Sequence, residues 1–144
     1  MKEQIYIEVK NKQQVAGNED DMLDVSSKGV LYQKRGHYYL VYKDFSEGLN
    51  GARTTIKIDP ENEKVLLSRA TPAELKQSFR SGEKTTGFYK IRSEKMKLEI
   101  ETDNIDLNFY KDGGKIRIKY RIYFGGKLAT TNDLLIKYTK EGVE

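Results

Sequence analysis

The 144-residue sequence has no cysteine, no tryptophan, two prolines and a single histidine. Without cysteine there can be no disulfide, no thiolate nucleophile, no zinc finger and no cysteine-ligated iron–sulfur cluster. With His37 as the sole imidazole, a two-histidine metal site cannot form within one chain, and a His-based triad has one possible base. The residue inventory therefore points to no metal and no cofactor. Long apolar runs are missing as well. The longest, Tyr38-Tyr39-Leu40-Val41-Tyr42, falls far short of the ~18 residues a membrane helix needs. The first residues, Met1 to Glu8, show no apolar h-region, so no secretory signal is expected and a cytoplasmic location is the default. Charge is not one-sided either. The 26 basic and 22 acidic residues leave +4, interspersed as on a solvated surface. A charge that small permits nucleic acid as a partner without arguing for it.

What the sequence does contain is alternation. Ile5, Ile7 and Val9 alternate with Tyr6, Glu8 and Lys10, the two-residue period of a half-buried strand. Asn11 to Asp21 is polar and reads as a loop, with Gly17-Asn18 as its turn. Met22 to Lys34 reads as a strand that bends at Gly29, and Arg35-Gly36 turns into the strand His37–Lys43. Phe45 to Gly51 is a flexible connection. Arg53 to Asp59 and Val65 to Arg69 alternate about a turn opened by Pro60. Thr71-Pro72-Ala73-Glu74 has the order of a helix start, with an N-cap Thr, Pro at the first helical position and Glu three after the cap. Gly87 to Arg92, Met96 to Thr102 and Ile105 to Lys111 are further alternating segments. Asp112-Gly113-Gly114 and Gly125-Gly126 mark hairpins in which glycine supplies positive φ. Between them Ile116, Ile118, Tyr120, Ile122 and Phe124 share one face. In the last run Leu128, Thr130, Asn132, Leu134, Ile136 and Tyr138 do the same.

About eight to ten such strands in a meander, with little helix and no parallel crossover, predict one all-β antiparallel domain over residues 1–144, an up-and-down barrel. The order and spacing of Thr54-Thr55-Ile56-Lys57-Ile58, Val65-Leu66-Leu67-Ser68-Arg69, Gly87-Phe88-Tyr89-Lys90-Ile91 and Met96 to Thr102 carry a resemblance. So do Gly114 to Tyr120 and Asn132-Asp133-Leu134-Leu135-Ile136-Lys137-Tyr138. Over nearly its whole length the chain resembles the YwiB-like family of small bacterial proteins. The resemblance implies a calycin-like (lipocalin-like) β-barrel with no assigned biochemical function and no catalytic residues to carry over. It also implies a strand over Leu75 to Arg80, against the helix start, which leaves at most a single turn at Thr71–Glu74.

In such a barrel, ligand chemistry belongs to inward side chains. Parity places Arg69, Tyr38, Tyr42, Tyr89, Tyr120, Thr102 and Asn132 inside, among aliphatic walls such as Ile56, Leu67, Ile100 and Leu134. This lining suits one small amphipathic molecule. Arg69 is in phase with Val65 and Leu67, where it would clamp a carboxylate or phosphate beside tyrosine hydroxyls. The alternative is a barrel filled by its own side chains, with Arg69 at the rim pairing with a structural acid. On the outside, Lys115, Arg117, Lys119 and Arg121 project from one strand face about 6.8 Å apart, a stripe that would suit a nucleic-acid or other polyanion backbone. Tyr123 and Tyr6 could add stacking surfaces. Cross-strand pairing with Glu99, Glu101 or Glu8 accounts for the same cations without a partner. No phosphate loop, G-x-S-x-G, H-E-x-x-H or calcium-loop pattern occurs. His37 has no orienting carboxylate or nucleophile that the sequence can name. A binding barrel is expected, rather than an enzyme.

Overall fold

The computed structural model describes residues 2–15, 20–46 and 48–142. The alternating segments become ten strands: β1 (Lys2–Val15), β2 (Asp20–Lys34), β3 (His37–Asp44), β4 (Ala52–Asp59), β5 (Lys64–Arg69), β6 (Ala73–Arg80), β7 (Lys84–Ile91), β8 (Glu94–Tyr110), β9 (Gly113–Phe124) and β10 (Lys127–Lys140). No helix occurs among the described residues. Each strand pairs antiparallel with the next, and β1 also pairs with β10, which closes the sheet into a barrel. Closure satisfies the backbone groups that an open ten-strand meander would leave at its edges. Across the seam Val9 faces Ile136 and Ile7 faces Tyr138, so the apolar phase of the first strand meets that of the last.

Inward positions of every strand pool into one core that includes Ile5, Leu31, Leu40, Ile58, Phe79 and Ile116. Its two ends differ. The end carrying the β2–β3, β4–β5, β6–β7 and β8–β9 turns is filled by large side chains. There Tyr38 stacks on Phe109, with ring centroids 4.3 Å apart. Phe79 is fully buried against Tyr120, centroid to centroid 4.6 Å. The other end, where β1 meets β2, β3 meets β4 and β5 meets β6, carries polar inward residues. We call these the closed and the open end.

Several sequence expectations are corrected here. Asn11 to Asp21 is not a loop throughout: β1 continues to Val15 and β2 begins at Asp20. Asn11 and Gln13 keep the inward phase of Ile5, Ile7 and Val9, but as polar residues they break the hydrophobic alternation. The Gly17-Asn18 turn lies outside the described residues. Thr71-Pro72 forms a turn and β6 follows at once, so the strand over Leu75 to Arg80 that the resemblance implied prevails over the helix start. Leu75 and Phe79, four apart, share a face in a strand as well as in a helix, so their spacing could not decide. Met96–Thr102 and Ile105–Lys111 fall on one strand that ends at Tyr110, interrupted by a register shift between Thr102 and Asn104. That bulge moves the inward phase from even to odd numbers. A second shift between Leu128 and Thr130 turns Leu128 outward, away from the face assigned to it. Gly113 and Gly114 are strand residues without positive φ, and the turn is Lys111-Asp112. Both are buried where a Cβ would collide with the Tyr138 carbonyl or ring, so close approach, not turn geometry, requires glycine. Gly125 and Gly126 do take positive φ, 54° and 80°.

Candidate functional site

The open end encloses a cavity of about 150 Å³. Its polar lining comes from the last inward residues of β1 (Asn11, Gln13), β3 (Tyr42, Asp44) and β5 (Arg69), with Thr54 of β4 and Gln77 of β6. Leu23, Leu67, Leu75, Ile122 and Leu134 form the apolar wall, and Tyr120 is part of the lining. The volume matches that of an engineered apolar cavity that takes up benzene.

Arg69 follows Val65 and Leu67 in phase at the end of β5. Its Nε donates to the Ala73 carbonyl at 2.9 Å, which holds the guanidinium beside the mouth. The guanidinium carbon lies 6.0 Å from the Tyr89 ring centroid. Among the described residues no carboxylate comes within 4.0 Å of it. Burial, reinforced by Asp44, pushes the Tyr42 hydroxyl far above the ordinary phenol range; Arg69 and a hydrogen bond with Thr54 oppose the shift without cancelling it. Burial likewise raises Tyr120, with polar contact from Asn11 opposing. Both phenols are therefore neutral hydrogen-bonding groups at any working pH. Asp44 is buried, and its Oδ1 accepts from the Ser46 backbone N–H at 2.9 Å.

Of the residues expected to share a site, the cavity brings together Arg69, Tyr42 and Tyr120. Asn132 stands behind its wall: Oδ1 accepts from Asn11 Nδ2 at 3.2 Å and Gln13 Nε2 at 3.1 Å, and Nδ2 donates to Thr130 Oγ1 at 2.9 Å. It orients two lining amides instead of offering itself. Thr102 is buried opposite Tyr120, with no hydrogen-bond partner for its Oγ1. Tyr89 lies under Arg69, whereas Tyr38 belongs to the closed end. The sequence reading missed Asn11, Gln13, Asp44, Thr54 and Gln77. Each stands in phase with buried apolar neighbours on its strand, and extending parity through polar residues would have found them.

The outer stripe is largely committed to acids. Arg117 makes a bidentate pair with Asp133, Nε to Oδ1 at 3.0 Å and Nη2 to Oδ2 at 2.7 Å. Arg121 Nη2 reaches Glu101 at 2.9 Å and Asp103 at 2.6 Å. Glu101 was an anticipated partner; Asp103 and Asp133 were not. Lys115 and Lys119 remain, flanked by these pairs. His37 Nε2 lies 3.3 Å from Asp59 Oδ2, an orienting carboxylate the sequence could not name. This pair sits at the closed end, among turn residues and apart from the cavity lining.

A family model described as a domain of unknown function, DUF1934, matches residues 7–136. The chain is 26% identical over 134 residues to the uncharacterized β-barrel protein YwiB of Bacillus subtilis strain 168, an alignment covering 93% of this chain and 92% of that protein. The crystal structure of the ywiB protein from Bacillus subtilis superposes with a TM-score of 0.84 at 24% identity, over 96% of this chain and 92% of that one. That likeness shows a shared barrel fold.

Proposed function

The chain belongs to the DUF1934 family, and from the cavity that its barrel encloses we propose a cytoplasmic binding module for one small amphipathic molecule with an anionic end. The observation that carries this reading is Arg69. A guanidinium that has no carboxylate within 4.0 Å among the described residues, fixed through Nε at the mouth of a partly apolar cavity, keeps its remaining N–H donors for an anion. Tyr42 supplies a neutral hydroxyl beside it, and Gln77 and Asn11 supply amides. Leu67, Leu75, Ile122 and Leu134 take the apolar body. At about 150 Å³ the cavity suits a benzene-sized group, well below the roughly 300–1,000 Å³ of drug-sized sites. The ligand is therefore a short-chain or single-ring acid, or the tip of a longer one whose remainder stays at the mouth. Binding fits better than turnover: among the described residues Asp44 is the one carboxylate in the lining, and it is engaged by the Ser46 amide.

A two-dimensional amide NMR titration with hexanoate tests this. Saturable shifts at Tyr42, Arg69 and Gln77 are expected. Arg69→Met should weaken binding by at least about tenfold, the worth of one charge-assisted hydrogen bond. An absence of saturable shifts, or equal binding by the variant, overturns the reading.

A further inference from the structure

The outer surface holds a second feature, unrelated to the cavity. β2 pairs with β3 only from Gly29 to Lys34, and the ladder stops at Gly29–Tyr42. Beyond this point the two strands part and leave an exterior groove of about 660 Å³. In the register of that ladder, Lys28 and Lys43 would be the next facing pair. On its other side Lys43 stands directly opposite Arg53 of β4. Three cations thus lie in a row across three neighbouring strands. Among the described residues none has a carboxylate within 4.0 Å, and no acidic residue lines the groove. Like charges facing one another across a sheet are destabilising, so the row is a standing demand for a polyanion. Among the described residues the outward acids Glu8 and Asp24 stand on β1 and β2 outside the groove lining.

Aromatic rings are interleaved with these cations. Phe45 projects from the β3–β4 connection with 73% of its surface exposed, and Tyr6 is 49% exposed. Across the strand ladders Tyr6 faces Lys28, Tyr32 faces Lys2, and Tyr39 faces Lys57. In each pair the ammonium sits about 6 Å over the ring, at 5.9, 6.0 and 5.7 Å. An anionic membrane surface would also take the cations, but its headgroups offer no flat face to stack on rings that alternate with them. Unpaired bases use both, because phosphates take the cations and base faces stack on the rings. From this alternation we propose that the β1–β4 outer face, centred on the fork at Gly29, binds single-stranded nucleic acid.

The test is fluorescence anisotropy of a labelled 15-nucleotide oligothymidylate titrated with the full chain, in competition with unlabelled oligonucleotide and with phosphatidylserine-containing vesicles. Binding at 50 mM salt is expected, with a log–log salt slope of about −2 for three neutralised phosphates. Lys28→Glu combined with Lys43→Glu should weaken it at least about tenfold, and Phe45→Ala about tenfold. Lys97→Glu, on the exposed face of β8, separated from β1 by β9 and β10 around the barrel, should leave it unchanged. Circular dichroism melting checks that each variant is folded. If the double reversal is not, Lys28→Gln combined with Arg53→Gln takes its place. No binding at 50 mM salt, equal binding by the reversed variants, or displacement by vesicles but not by oligonucleotide overturns the proposal.

Discussion

At the closed end of the barrel, inward positions carry Leu31, Ile58, Val65, Phe79, Tyr38 and Tyr138; at the open end the same phase carries Asn11, Gln13, Asp44, Thr54, Arg69 and Gln77. Backbone pairing is continuous through both ends of most strands, so hydrogen bonding of the sheet does not distinguish them. Side-chain volume and polarity do. Large apolar groups meet across the closed end and exclude water; Tyr138 is buried enough that its hydroxyl is pushed up to about 12. Shorter or polar groups leave the open end partly empty. Closing a barrel and making a site are thus separate decisions, taken by different residues on the same strands. Stability should concentrate at one end and function at the other.

Phe79 and Gln77, two positions apart on β6, put that division to its hardest test. Phe79→Ala removes a fully buried ring from contact with Tyr120 and should cost about 3–5 kcal/mol, read from urea unfolding. A cost below about 1 kcal/mol would mean that the closed end repacks freely and is not where stability resides. Gln77→Leu, in the cavity wall, should change stability by no more than about 1 kcal/mol in either direction. An apolar group of similar shape there removes a polar group that faces a void. A cost above about 2 kcal/mol would make the open end a structural network in its own right.

The closed end was legible in the sequence because its alternation is apolar and uninterrupted: Tyr38, Leu40, Ile56, Ile58 and Val65 announce their face without help. The ten-strand meander follows from the same signal, strengthened by a family resemblance that the comparisons bear out. The open end was only partly legible. Arg69 and Tyr42 stood out because a long side chain sat in phase with aliphatic ones. Asn11 and Gln13 were hidden in what read as a loop, and Gln77 lay in a segment that only the family resemblance marked as a strand. A polar residue facing a polar cavity leaves the same mark on a sequence as one facing water. The bulges at Thr102–Asn104 and Leu128–Thr130 were illegible for another reason: each inserts a residue without changing composition, so the phase slips silently. The fork between β2 and β3 depends on where two ladders cease to pair, and no single strand records that.

The smallest expected effect concerns how the open end is held from outside. Asp133 stands on β10 next to Asn132, the residue that orients Asn11 and Gln13, and it faces Lys12 and Lys119 on the neighbouring strands. The hydrogen bonds from Arg117, followed by the charges of Arg117, Lys119 and Lys12, hold its carboxyl below the ordinary value of 3.8 despite partial burial. A depressed folded pKa means that the unfolded chain binds the proton more readily. The stabilisation is therefore complete above the unfolded value, at about pH 5 and higher, and is lost as the pH falls through the folded value. Asp133→Asn should lower the urea midpoint by a small, constant amount from pH 5 to 7, as befits a solvent-screened pair. Wild type and variant should then converge once the pH falls below the folded value. A gap that persists unchanged into acid would show that the side chain matters through its shape or hydrogen bonding and not its charge. The open end would then owe nothing to the ion pairs outside it.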